Sequence, residues 1–451
     1  MAILRSRRLE QIFDAPLDEV TAEHIRRLVT TKAAEAADLD FKAKTPGPTD
    51  AEKVKLLLKP TAALANSGGG VVVYGVQDDG LAQAIDAAGV SLSDATELQM
   101  RQAIATSISP MPRFELRRVP DSPEGDHGFY LLIVPPSGSA PHGLKSGSAY
   151  RYPRRNGAST IDLTEPEIAA AYRDRFRARD ERTQRLTDVM AEGEQALSRQ
   201  QAWLIVALVP DVAGEVQITQ QLYDAFEAAW RPKSVWAFGP RQGSEHFNHC
   251  RVGLGKLHAD DGHQRLARKD VLAERGLAEL HVDGSGLHAL APRYVSRDGQ
   301  IFSVVVREQL LASIAIGLQR LGQHAQSQAG ASGLATVRCT LLPAGRHLSK
   351  DDAGDFGTPM VLRGRDPVWA DDDLDQKDAI NGRQEMTVWG VDLDEIARAD
   401  RPLLRLSSKL ANQLANAFGE PELGLTDAEG NLTRAVSTDW AAAFQTWLAA
   451  R

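Results

Sequence analysis

The sequence is short of the features that mark several large classes of protein. Its 451 residues include two cysteines, Cys250 and Cys339, too few for a disulfide framework, so a reducing cytoplasm is the expected compartment. No run approaches the roughly eighteen apolar residues of a membrane span, so no membrane partner is expected. Met1 to Arg8 carries arginines but no apolar stretch leading to a small-residue cleavage site, which argues against a secretory signal. There is no internal repeat, no Gly-Lys-Ser/Thr phosphate loop and no Gly-x-Ser-x-Gly elbow, which removes support for a P-loop nucleotidase or a serine hydrolase of that type. Positive charge is not in excess either. A net charge of -8 counts against a surface built to wrap long DNA duplexes, though not against a local basic groove.

What is present reads as a folded chain, with 43% hydrophobic and 25% charged residues and a length that favours two domains. Lysine and arginine gather toward the start, whereas Asp371, Asp372, Asp373 and Asp375 lie late in an acidic loop, so nucleic-acid contact is expected in the first part. Thr21 caps a predicted helix through Ile25, Leu28 and Val29 that fades near Ala36. A strand at Leu39 to Lys42 follows, then a helix through Val54, Leu57 and Leu64 that Pro60 should kink and Asn66-Ser67-Gly68 should stop. Val71 to Val76 is apolar enough for a strand buried on both faces. A helix capped at Asp94, strands near Arg113 to Val119 and Phe129 to Val134, and a charged helix from Glu165 past Arg185 complete the first part. Beyond a boundary near Arg199, strand-like and helix-like runs alternate.

Four motifs stand in order. They are Glu35-Ala36-Ala37-Asp38-Leu39-Asp40-Phe41-Lys42, then Ala63-Leu64-Ala65-Asn66-Ser67-Gly68-Gly69-Gly70, then Gly75-Val76-Gln77-Asp78, then Arg155-Asn156-Gly157 followed by Ser159 and Thr160. In this order and spacing they resemble the Schlafen AlbA-like domain family, over roughly the first 180 residues. The expected fold class is therefore α+β: a Schlafen AlbA-like α/β domain over 1–185, a linker helix over 186–200 and a second α+β domain of unrecognised type over 201–451.

The resemblance implies a nucleic-acid-binding or nuclease domain. In its nuclease members three carboxylates hold a divalent metal, and by motif position these fall on Glu35, Asp40 and Asp78. Mg²⁺ or Mn²⁺ there would polarise a phosphoryl oxygen and activate water. Asp40 stands where the family usually has Glu, and Gln77 where an acid is frequent. The function so implied is a metal-dependent endoribonuclease acting on tRNA or another structured RNA, with DNA as an open alternative, in stress or phage defence. The other reading is a non-catalytic nucleic-acid-binding or nucleotide-responsive regulator. Family grooves can be built from two such lobes, which implies self-association of a chain with one.

Lys42, Arg151, Arg154 and Arg155, with Tyr150 and Tyr152 interleaved, are the expected contacts to a phosphate backbone and a stacked base; the competing reading is an edge strand guarded by charge. Gly68-Gly69-Gly70 follows a helix and precedes a strand, the reverse of a phosphate loop, so it reads as a helix stop. Arg173, Arg175, Arg177 and Arg179 alternate with acids, as on a solvated helix face. His246, His249, Cys250, His258 and His263 crowd together without the second ligand pair of a structural zinc site.

Overall fold

The computed structural model describes residues 4, 6–122, 125–197, 199, 201–230, 247, 249–260, 276–297, 300–345, 359–363 and 379–449. The chain divides into two compact units, Met1–Glu181 and Arg182–Arg451.

The first unit runs α1 (Arg7–Phe13), α2 (Ala22–Thr30), β1 (Leu39–Lys42), α3 (Asp50–Lys53), α4 (Lys59–Ala65), β2 (Gly70–Tyr74), β3 (Gln77–Asp78), β4 (Ala84–Asp86), β5 (Val90–Ser91), α5 (Asp94–Ser107), β6 (Ile108–Ser109), β7 (Glu115–Pro120), β8 (His127–Val134), β9 (Gly143–Ser146), β10 (Ala149–Arg151), β11 (Pro153–Asn156) and β12 (Ser159–Asp162). It ends in the first half of α6 (Glu165–Ala196). β1 and β2 pair in parallel, β2 pairs antiparallel with β8, and β5 and β7 also join β8.

Strand side chains alternate between faces, and β2 fills two cores with that alternation. Val71 and Val73 pack with Leu39, Phe41, Phe129 and Leu131 against Ile25 and Leu28 of α2. Val72 and Tyr74 pack with Tyr130 and Leu132 against Leu64 of α4 and Met100 and Ile104 of α5. Helices thus cover both faces of the sheet, which is why the continuous apolar run of β2 was readable as doubly buried.

Local chemistry moves several expected boundaries. α2 stops at Thr30 rather than near Ala36: the Thr30 and Thr31 hydroxyls donate to the Arg27 carbonyl, and Lys32 turns left-handed at φ 51°. Side-chain hydroxyls that take a helix's last carbonyls favour its end. Pro60 is accommodated by a wide turn over Val54–Leu58, after which α4 begins with the proline in its first positions, where no N–H is required. The cap of α5 is Ser93, which accepts from Thr96 N, and not Asp94.

The second unit holds β13 (Trp203–Val212), α7 (Gln220–Trp230), β14 (His249–Gly253), β15 (Lys256–Asp260), β16 (Gly276–His281), β17 (Gly286–Leu290), β18 (Arg293–Arg297), β19 (Gln300–Val306), α8 (Arg307–Gln323), β20 (Ser332–Leu342), β21 (Met360–Arg363), β22 (Gln384–Asp392), α9 (Leu393–Ile396), α10 (Arg401–Ala415) and α11 (Thr438–Ala449). Seven strands pair in the order β14-β15-β16-β17-β13-β20-β22, and β18, β19 and β21 form a separate sheet. Leu204, Val206 and Leu208 face the core shared with α8 and α10, while Trp203, Ile205 and Ala207 face Leu186, Val189 and Met190 of α6. The stretch expected as a linker, 186–200, therefore contributes side chains to the core of the second unit. The α+β class expected for both parts holds.

Candidate nucleic-acid interface

Asp40 sits on β1 next to β2, in the interior of the first unit. A buried carboxylate needs a matched cation, and it has two. Arg155 of β11 donates from Nη1 to Asp40 Oδ1 at 3.0 Å, with side-chain exposures of 2% and 4%. Lys42 Nζ stands 2.5 Å from Asp40 Oδ2 as an ion pair without hydrogen-bond geometry. Arg155 Nη2 also donates to the carbonyls of Ala36 and Leu39, at 2.6 and 3.2 Å. The arginine ties β11 to the chain around β1, and its buried guanidinium is not the surface phosphate contact expected from the sequence.

Glu35 lies in the segment between α2 and β1, where Oε1 accepts from Phe41 N at 2.7 Å. Burial pushes its carboxyl up to about 7, with the Phe41 hydrogen bond working against that and the Asp40 charge adding to it. Asp78, at the end of β3, accepts from Gly80 N at 2.6 Å and so closes its own turn.

A hard divalent cation needs several oxygens turned on one point. Glu35, Asp40 and Asp78 are not gathered in that way: among the described residues, the group of three whose ligand atoms all lie within 4.8 Å of one another is Glu192, Glu279 and His281, in the second unit. With Asp40 neutralised by Arg155 and Lys42, and Asp78 engaged in its turn, the expected carboxylate set does not fit Mg²⁺ or Mn²⁺.

The second-unit group is also ill-suited to a metal. Lys256 Nζ bridges Glu192 and Glu279 at 3.2 and 2.9 Å, and Arg185 lies 2.9 Å from His281 Nδ1. Since arginine can only donate, Nδ1 accepts that hydrogen bond and is not free for a metal. Among the described residues the crowded histidines do not form a zinc site either. His258 is held between Asp260 at 2.9 Å and Glu279 at 3.2 Å, Cys250 is a buried thiol, His249 stands 3.5 Å from Asp260, and His246 and His263 lie outside the described residues. The acidic run at 371–375 also lies outside them. The charge network of Glu192, Lys256, His258, Glu279 and His281 was not visible in the sequence, because its members come from α6, β15 and β16.

The remaining basic residues separate into two groups. Lys42 is turned inward, donating to its neighbouring Phe41 carbonyl at 2.9 Å. Arg151 and Arg154 face solvent, with side-chain exposures of 67% and 43%; their acidic neighbours are Asp162 at 3.8 Å and Glu167 at 3.3 Å. A cavity of about 190 Å³ lies beside Arg154, and Glu167 and Asp174 on its wall balance the cation. Lys145, which the motif reading missed, is exposed on β9 directly across from Tyr150. Tyr152 is half-buried, its hydroxyl 3.2 Å from that of Tyr172 and its ring edge-on to it; that hydrogen bond, then burial, pushes its hydroxyl up to about 12.

The other motif residues brace the scaffold. Asn66 donates from Nδ2 to the carbonyls of His142 and Pro153, both at 2.9 Å, and accepts from His142 N at 2.6 Å. Gly70, at φ 151°, passes so close to the chain before β1 that a Cβ there would lie 2.4 Å from the Asp38 carbonyl oxygen. The glycine run follows the end of α4, as its order relative to α4 and β2 implied, and Gly70 adds a close crossing that the order did not announce.

Comparison with known proteins places this arrangement. No match was found among curated proteins. Among solved structures, the DIP2311 protein from Corynebacterium diphtheriae is 20% identical, with 37% of this chain and 29% of that chain covered, at a TM-score of 0.23. The chain thus spans under a third of that protein's length. The N-terminal domain of a RecG-related protein from Nitrosomonas europaea is also 20% identical, with 32% of this chain and 94% of that chain covered, at a TM-score of 0.22. Among the described residues no helix is long and apolar enough to cross a membrane. The family model described as Schlafen, AlbA_2 matches residues 35–164, the segment that runs from Glu35 through Asp40, Asn66 and Asp78 to Arg155, so the first unit carries a Schlafen AlbA_2 domain and with it a link to nucleic acid.

Proposed function

We propose that the first unit binds nucleic acid, RNA foremost, through the exposed basic surface of Lys145, Arg151 and Arg154, and that it acts as a binding or regulatory module without a metal-dependent hydrolytic centre. The observation that carries this reading is the buried Asp40–Arg155 pair. It turns a motif carboxylate, which a nuclease would spend on a metal, into a structural strut. Phosphate contacts from exposed arginine and lysine suit a module that holds a polyanion without reading its sequence.

The competing reading is the divalent-metal endoribonuclease acting on tRNA or structured RNA. A specific observation keeps it testable: Glu35 has a carboxyl pushed up to about 7, in the range useful for general acid–base work. Incubating the full chain with total RNA and Mn²⁺, with and without chelator, separates the two. The binding reading expects retention of RNA with no chelator-sensitive fragments. Cleavage that chelator stops and Glu35→Ala removes would restore the nuclease. Light scattering at micromolar concentration tests whether a second copy supplies the other wall of a groove.

A further inference from the structure

The hairpin of β9 and β10 is closed by two residues, Gly147 and Ser148, with Gly147 at φ 62°, and its strands pair Tyr150 with Lys145 and Arg151 with Leu144. From Lys145 to Arg151 every residue is exposed. Tyr150 leaves 52% of its surface to solvent, unusual for a large aromatic ring. What seats the ring is an absence. At Gly143 a Cβ would lie 2.9 Å from Tyr150 Cδ1 and 3.1 Å from Tyr152 Cε1. Both tyrosines therefore lean into the space that the glycine leaves, a known way for an aromatic to cover a strand glycine. Their environments then differ. Tyr152 is committed edge-on to Tyr172 with its hydroxyl engaged, whereas Tyr150 has no such ring partner among the described residues. Lys145, across the hairpin on the same face, has no ion pair among them either.

We infer that Tyr150 is a stacking platform for an unpaired base, with Lys145 across the hairpin on the same face for the adjacent phosphate, so that this surface takes single-stranded segments of nucleic acid in preference to closed duplex. The inference rests on the reading of the first unit as a nucleic-acid binder and names the kind of strand it takes. Duplex bases are stacked on one another and offer a flat face at their ends alone, while an unpaired base presents its whole face to an exposed ring. Stacking of this type tolerates any base and combines with backbone cations. The platform is Tyr150 and not Tyr152, and Gly143 is its positioning residue.

The test uses the full chain and fluorescent oligonucleotides: a 20-mer of single-stranded RNA, the same sequence as DNA, and a blunt RNA duplex of equal length, with 2-aminopurine in the single strands to report stacking. The expected result is tighter binding of single strands than of duplex, with 2-aminopurine quenched on binding. Tyr150→Ala should weaken single-strand affinity roughly 5- to 150-fold and leave duplex affinity and the melting temperature unchanged. Tyr150→Trp should retain affinity and quenching, and Gly143→Ala should lose part of both. The RNA and DNA arms show whether a 2′-hydroxyl matters. If wild type binds single strands and duplex alike and Tyr150→Ala changes neither, the stacking inference falls while the binding reading stands. If wild type binds none of the three, both fall.

Discussion

Breaking the Asp40–Arg155 pair from each side in turn should give unequal losses. Asp40→Asn leaves a guanidinium with 2% exposure facing carbonyls alone, and an orphaned buried charge costs about 3–5 kcal/mol. For a unit of this size that corresponds to a fall of roughly 6–20 °C in melting temperature. Arg155→Met removes the cation instead, but Asp40 keeps Lys42 beside it, and Lys42 is 18% exposed and can adjust. The Ala36 and Leu39 carbonyls that lose Arg155 still accept from each other's N–H groups, at 3.4 and 3.0 Å. That loss should be smaller, about 1–3 kcal/mol. The double variant Asp40→Asn/Arg155→Met should lose less than the sum, because neither charge is stranded. The assay is thermal and urea unfolding of the full chain, followed by a probe in the first unit so that the second does not mask it. Equal stability of wild type and Asp40→Asn would refute the strut. The same variant staying stable but losing Mn²⁺-dependent cleavage would show instead that Asp40 is held for a metal.

Two further outcomes follow from the same region. A carboxyl with a folded pKa of about 7 against an ordinary value of 4.5 binds its proton more tightly folded than unfolded, so Glu35 should make stability fall as pH rises between those values and level off above; Glu35→Gln should flatten that slope in urea unfolding at several pH values, and an unchanged slope would put the titration elsewhere. Arg151→Ala/Arg154→Ala should weaken RNA binding for unrelated sequences and reduce the salt slope by about 1.4 for single strands, two lost contacts at roughly 0.7 each; superimposable curves would show that these arginines do not touch the ligand.

The fold was legible where one local rule decides the structure. Val71 to Tyr74 reads as doubly buried because no polar side chain interrupts it, and strand-like and helix-like runs do alternate beyond Arg199. Legibility failed where a tertiary contact or an unmarked turn decides. No glycine announces the end of α2 at Thr30; a pair of threonines and a left-handed lysine end it. Arg155 was read as a surface cation because it lies in a run of arginines and tyrosines, yet its partner is 115 residues away on another strand. Alternation along β11 puts Pro153 and Arg155 inside and leaves Arg154 half-exposed, so a stricter period-two reading would have separated the two arginines.

That separation bears on what a family pattern records. The motif positions of the first unit are occupied by residues that hold chain crossings together: Asn66 ties α4 to the segments around His142 and Pro153, Gly70 lets the chain pass Asp38, and Arg155 joins β11 to β1 through Asp40. Each bridges segments distant in sequence, and each depends on a particular side chain or on having none. A pattern built from such residues identifies the scaffold. The solvent-facing groups Lys145, Tyr150, Arg151 and Arg154 lie on or beside one hairpin, where exchange of a side chain leaves the core intact. On the proposed function, ligand contact is therefore to be sought on that hairpin, while burial and hydrogen bonds account for where Glu35 and Asp40 sit.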